Sequence, residues 1–160
     1  MYLFSFYTRG MSFIDMAYLK KKDLKNDILS YRKRKTGQRL LIRWGKCMQE
    51  IIDKYDNSIS EYLLPIIKPM NGNERTQYQN AMYSINPKLK IIGRMINLQV
   101  PLTMYTARHS WASVAKSKDV PISIISKGMG HNSEKTTLIY LVSFDTTVVD
   151  NANKMILSLL

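Results

Sequence analysis

DILSYRKRKTGQRLLIRW, residues 27–44, is the stretch on which the reading of this chain turns. Its two arms, Ile28 to Arg34 and Arg39 to Trp44, are rich in β-branched, aromatic and other large apolar residues. Thr36-Gly37 sits between them as a turn, so the stretch reads as a β-hairpin. The arms also carry long basic side chains: residues 20–46 hold eleven Lys or Arg. Most of what surrounds the hairpin has the spacing of helices, so it defines a small sheet inside a helical protein.

Working outward towards the amino terminus, Ser12 and Asp15 form an S-x-x-D capping pattern ahead of an apolar face of Phe13, Met16, Ala17 and Leu19. The opening MYLFSFYTRGMSF is apolar and aromatic and reads like the middle of a buried helix. It has neither a basic leader nor a long apolar run, so it is not read as a signal peptide. On the other side, Cys47, Met48, Ile51, Ile52 and Tyr55 return to helical spacing, and EYLLPIIKP reads as an extended connector or short strand. Glu74 to Leu98 is helical in pattern, with a break or kink expected near Asn86 because Pro87 follows it. Thr103 is positioned to cap a helix whose apolar face is Ala107, Trp111 and Val114. VPISIISKGMG predicts a short helix with Pro121 near its first turn, ending at Gly128 or Gly130. Ser133 can cap the next helix, which carries Tyr140, and TTVVDNANKMILSLL predicts a final amphipathic helix. The fold class expected is mainly α with a small antiparallel β-sheet (α+β).

At 160 residues and 45% apolar content the chain suits one compact domain with a real core. Lys and Arg number 24 against 12 Asp and Glu, a formal charge of +12. An excess of that size points to a polyanionic partner, nucleic acid first and an anionic membrane surface second. The single cysteine, Cys47, excludes an internal disulfide framework and a cysteine-rich zinc site, and it fits a reducing, intracellular setting. No stretch approaches the ~20 apolar residues that a membrane helix needs.

Four residues stand out for chemistry on phosphate. Arg108, with His109 beside it, comes early in a helix, and its planar guanidinium can grip two phosphate oxygens. The plain alternative is a surface salt bridge. His131 follows Gly130 ahead of a capped helix and can donate to a phosphate oxygen or exchange a proton; the alternative is a packing histidine. Tyr140 comes nine residues later. A phenol with a free pKa of ~10 is a poor nucleophile until cations surround it, and a core tyrosine is the plain reading. Lys35, at the hairpin tip, can reach a groove and protonate a leaving oxygen, or merely belong to a solvated basic face. No carboxylate pair, metal-ligand cluster or glycine-rich phosphate loop is evident. A phosphate-ester chemistry here is therefore expected to use basic side chains in place of a metal, with no cofactor.

Taken in order, RKRKTGQRL, LTMYTARHSWAS and MGHNSEKTTLIYL resemble the catalytic domain of the tyrosine recombinases, or phage-type integrases, closest to the branch in mobile elements of Bacteroides-like bacteria. The resemblance runs from about Phe6 to Tyr140. It implies that Tyr140 is the nucleophile that becomes a 3′-phosphotyrosine, and that Arg108 is the second active-site arginine. It also implies that His131 fills the later His/Trp position, that Lys35 is the hairpin lysine that protonates the 5′-oxygen, and that Asp15 is the acidic residue after the first arginine. Two positions depart from the pattern. Tyr105 stands where a histidine precedes the second arginine by three residues. Ser12 stands where the first arginine belongs, with Arg9 as a substitute from three residues earlier. The resemblance further implies that residues 1–160 are a catalytic domain without its first helix and its core-binding domain. Its partner would be double-stranded DNA, bound as a homotetramer, with a monomer when free, in the bacterial cytoplasm and not at a membrane. A catalytically weakened DNA-binding relative and a type IB topoisomerase are the competing readings.

Overall fold

The computed structural model describes residues 1–55, 59–68, 72–139 and 141. Its elements run in the order α1 (Tyr2–Tyr7), α2 (Phe13–Ala17), a 3₁₀ turn (Lys21–Asp23), β1 (Leu24–Lys25), β2 (Ile28–Arg32), β3 (Arg39–Arg43), α3 (Lys46–Ile52), α4 (Glu74–Met95), α5 (Thr106–Ser117), α6 (Ile122–Met129) and α7 (Glu134–Ile139). The strands form one antiparallel sheet in the order β1-β2-β3. This is the helical architecture with a small antiparallel sheet that the sequence leads one to expect. The carboxy-terminal helix expected over TTVVDNANKMILSLL lies outside the described residues.

Two turns build the sheet. Asn26 and Asp27 both adopt left-handed backbone, with φ of 49° and 55°, as a two-residue hairpin turn requires. They pair Lys25 with Ile28. The second hairpin sets Arg32 opposite Arg39 and Leu29 opposite Ile42. Alternation then divides the sheet. Leu29, Tyr31, Leu40 and Ile42 are buried on its inner face, while Ile28, Arg32, Arg39, Leu41 and Arg43 are exposed on the other.

The inner face meets a core of Phe4, Met11, Met16, Leu19, Leu64 and Ile67. The connector after α3 contributes to it although it is mostly irregular. Leu63 donates its backbone N–H to Leu19 at 2.8 Å, and Tyr62 bridges Lys20. A second, smaller core of Ala112, Ile125, Met129 and Leu141 lies between α5 and α6.

Pro87 neither breaks nor ends its helix: α4 runs through it for 22 residues. The proline forfeits the bond to the carbonyl of Tyr83, four residues back. Both Pro87 and Tyr83 are exposed, so water can satisfy that carbonyl on the solvent side. Asn86 is occupied elsewhere, accepting from the backbone N–H of Met104 at 2.9 Å and thereby fixing the approach to α5. None of the helices among the described residues is long and apolar enough to cross a membrane.

Candidate active site

Arg108 is the centre of the polar structure. It lies in the first turn of α5 and is only 7% exposed. One terminal nitrogen, Nη1, donates to the carbonyl of Gly10 at 2.6 Å. The other, Nη2, donates to the carbonyl of Met129 at 2.8 Å and to Nε2 of His131 at 2.6 Å. The guanidinium thus joins the turn after α1 to the end of α6. Gly10 makes this possible. Its φ is +70°, and a Cβ there would sit 2.8 Å from the Arg108 Cα, so no other residue lets the turn approach α5 so closely.

His131 is placed by the left-handed residue Gly130 (φ +63°), which ends α6 as glycines at helix ends do. Its ring nitrogens have distinct roles. Arginine offers only donors, so Nε2 must accept from Arg108. The ring proton therefore sits on Nδ1 and is donated to Oγ1 of Thr137 at 2.8 Å. Thr137 is fully buried in α7. Burial, then the charges of Arg108 and Lys33, depress the His131 pKa from 6.5 to about 4, in keeping with a neutral, accepting imidazole.

Lys33 completes the cluster. Leu29, Tyr31 and Lys33 lie on the same inward parity of the β2 arm, and all three are buried. The Lys33 Nζ donates to the carbonyls of Gly130 at 2.5 Å and Met129 at 3.2 Å. A Cβ on Gly130 would lie 2.8 Å from the Lys33 Cδ, so the glycine and the lysine fit together closely. Burial first, then Arg108, lowers the Lys33 pKa to about 8.

Asp15 ties the hairpin to α2. One carboxylate oxygen accepts from the Ser12 hydroxyl at 2.6 Å, and the other accepts the Arg34 backbone N–H at 2.9 Å. Ser12 also takes the Asp15 N–H at 3.3 Å as the helix cap that the sequence pattern implies. The hairpin tip is thereby held over the start of α2.

These pieces surround a cleft of about 440 Å³, lined by Ser12, Asp15, Lys33, Lys35, Tyr105, Arg108 and His131 among others. Six of the residues singled out in the sequence therefore meet: Ser12, Asp15, Lys35, Tyr105, Arg108 and His131. Tyr105 is exposed and packs edge-on against His109, with ring centroids 4.8 Å apart. Arg9 is not among the lining residues. It sits at a left-handed turn position, φ 61°, and its Cδ lies beside Gly128 of α6, with its charge close enough to act on the Tyr31 phenol. Arg108 is the only arginine that lines the cleft among the described residues. Tyr140 follows α7 directly in sequence and lies outside the described residues. Lys33 and Thr137 were not singled out in the sequence. Strand parity was a sufficient signal for Lys33. Thr137 had only its place in a threonine pair. Among the described residues no group of His, Cys, Asp or Glu is arranged to hold a metal ion.

A polar cleft between a three-stranded sheet and the ends of short helices defines a fold class, which the comparisons identify. No family model and no curated protein matches the chain. Solved structures do. XerA recombinase superposes with a TM-score of 0.67 at 17% identity, over 94% of this chain and 54% of the other. The Tn1549 transposon integrase, in complex with transposon right end DNA, gives 0.64 at 14% identity, over 98% and 57%. A lambda integrase tetramer bound to a Holliday junction gives 0.58 at 17% identity, over 87% and 40%. The chain has the fold of the tyrosine recombinase catalytic domain, and it spans about half the length of the solved structures it matches.

Proposed function

We propose that residues 1–160 form the catalytic domain of a site-specific DNA recombinase or integrase, which breaks and rejoins strands through a 3′-phosphotyrosine on Tyr140. The single observation that carries this reading is the convergence of Arg108, His131, Lys33 and Lys35 on one cleft. Four cationic or imidazole groups from a hairpin, a helix start and a helix end suit a phosphodiester whose charge grows in the transition state. The fold and the formal charge of +12 support the same reading.

In the reaction proposed, Arg108 turns its Nη2 from His131 to the phosphate, and as the Tyr140 oxygen attacks phosphorus its proton passes to the Nε2 of His131 so released. The new P–O(Tyr) bond forms as the P–O5′ bond breaks, and Lys35 protonates the departing 5′-oxygen. Arg108 stabilises the charge on the non-bridging oxygens, and Tyr105 hydrogen-bonds to one of them. A 5′-hydroxyl of another strand then attacks the phosphotyrosine, returning both protons. The energy of the broken bond is held in the covalent intermediate, so neither ATP nor a cofactor is required. Lys33, already bonded to two carbonyls, acts as a positioning residue that fixes the Gly130-His131 turn. On DNA the working assembly in this reading is a homotetramer that joins two duplexes.

One observation favours a second reading, a DNA-binding relative that does not cleave. Ser12 lines the cleft and Arg9 does not, so among the described residues Arg108 is the only guanidinium in the lining. Losing one such donor costs ~10²–10³ in rate. The test that separates the readings is a nicked half-site duplex, from which the short fragment bearing the new 5′-hydroxyl is lost on cleavage. The proposal expects a covalent protein–DNA adduct without added metal, abolished in Tyr140→Phe. An adduct that persists in Tyr140→Phe refutes the nucleophile. Binding with no adduct from any polypeptide that carries the chain establishes the second reading.

A further inference from the structure

In the run Arg32-Lys33-Arg34-Lys35 the first residue ends β2 and the other three enter the hairpin turn, and the two residue types part between two cavities. The two lysines line the cleft described above. The two arginines line a different cavity, of about 350 Å³, between β2 and the segment from Asp15 to Asp23. Arg39, opposite Arg32 in the register, lines it as well.

Three features of this second cavity call for an anion. Arg32 and Arg39 are like charges directly opposite one another in an antiparallel pair, an arrangement that destabilises a sheet when nothing lies between them. None of Arg32, Arg34 and Arg39 forms an ion pair among the described residues. All three side chains instead meet neutral groups. Arg34 stacks over the Tyr18 ring at 3.7 Å, and the Arg39 Nε donates to the Ser30 hydroxyl at 2.9 Å. Arg32 reaches the Gly37 carbonyl at 3.2 Å.

Two carboxylates also line the cavity, but neither pairs with these arginines among the described residues. Asp15 accepts from Ser12 and from the Arg34 N–H, and Asp23 accepts from the Lys20 N–H at 2.8 Å. The guanidinium forks are therefore left to a ligand with planar-spaced acceptor oxygens, which is the geometry of phosphate.

We propose that this cavity is a second phosphate site, which grips a backbone phosphate of bound DNA on the side of the hairpin away from the cleft. The inference rests on reading DNA as the partner, but not on strand cleavage. The hairpin then works as a blade with two edges. Its lysine side serves the phosphate that reacts, and its arginine side holds one that does not.

The experiment measures duplex affinity of the chain by fluorescence anisotropy across a salt series. Each neutralised phosphate contributes ~0.9 to the slope of log K against log salt. The double variant Arg34→Gln/Arg39→Gln is expected to lose about 1 from that slope. Arg43→Gln, on the same exposed face but outside the cavity, is expected to keep the wild-type slope. An unchanged slope in the double variant overturns the proposal. So does an equal loss from Arg43→Gln, which would mean a diffuse basic field. Inorganic pyrophosphate serves as the free-anion probe. If it binds to the wild-type chain and not to the double variant while the DNA slopes are the same, a free polyphosphate, and not DNA, is the ligand, and the DNA assignment falls. Because the readout is binding, a failure to form the Tyr140 adduct leaves this result intact, and the two failures are told apart. The thermal melting curve of each variant checks that the exposed substitutions leave the fold in place.

Discussion

The molecule has two cores of very different size, and the cleft lies where they meet. The larger one joins α1, α2, the sheet and the connector after α3 through residues such as Phe4, Met16, Leu29 and Leu64. The smaller one rests on Ala112, Ile125, Met129 and Leu141. The first is held together by apolar burial. The second packs on the first through α1 and α5 and is also fastened to it by charged donors: Lys33 and Arg108 both hold the carbonyl of Met129, and Lys33 holds that of Gly130 as well. The polar groups that suit phosphate chemistry are thus also the clasp between the two parts. A clasp made of hydrogen bonds can be traded for bonds to a ligand at modest net cost, which a greasy interface cannot.

The largest break in this contrast is expected from Arg108→Lys. A lysine keeps the charge but cannot reach Gly10, Met129 and His131 together. Single-turnover cleavage should fall by ~10²-fold or more, with a smaller loss in DNA affinity. A rate within a few-fold of wild type would show that the fork is unnecessary.

Lys33→Met should come next. It leaves two carbonyls at the end of α6 without their donor, at ~1–3 kcal/mol. Amide exchange should accelerate in α6 and α7 while the amides of β2 and β3 keep their protection relative to one another. Uniform acceleration would mean that the two cores open as one.

Thr137→Val should have a smaller effect, because it removes the hydroxyl that receives the Nδ1 proton of His131 and lets the other tautomer compete. Cleavage should drop about 10-fold, on the order of a lost hydrogen bond. Thr137→Ser should restore it, and the ¹⁵N shifts of the imidazole should move in the valine variant only. A mixed or reversed tautomer in the wild type would contradict the bonding deduced from Arg108.

The smallest effect is one of pH. His131 has a folded pKa of about 4 against 6.5 when free. The unfolded chain therefore binds the proton first. The contribution of neutral His131 to stability is complete above about 6.5 and is lost as pH falls towards about 4. Melting temperature in that window should decline less in His131→Asn than in the wild type. Parallel curves would remove the histidine from the clasp.

Much of this was legible in the sequence, unevenly. The hairpin was, because its arms alternate and Thr36-Gly37 punctuates them. The Ser12 cap and the Gly130 terminus were, because each depends on local chemistry that a few residues specify. At Pro87 the break did not occur, since a helix can run through a proline where solvent satisfies the lost acceptor, and solvent exposure at Tyr83 is a tertiary fact. Arg9 looked like a substitute for the missing arginine at Ser12. Arg9 takes a left-handed backbone and does not line the cleft, and nothing in RGMS announces that turn. Lys33 was hidden among eleven basic residues, although counting inward parity from Leu29 would have found it.

The central claim is that this cleft presents a phosphodiester to the oxygen of Tyr140, and the most direct measurement is chemical. Trap the protein on a nicked half-site, digest the adduct with protease and nuclease, and map the modified peptide by mass spectrometry. The expected result is a nucleotide linked through its 3′-phosphate to Tyr140 within the peptide that follows Lys135. A nucleotide on any other side chain, or linked through a 5′-phosphate, would contradict it.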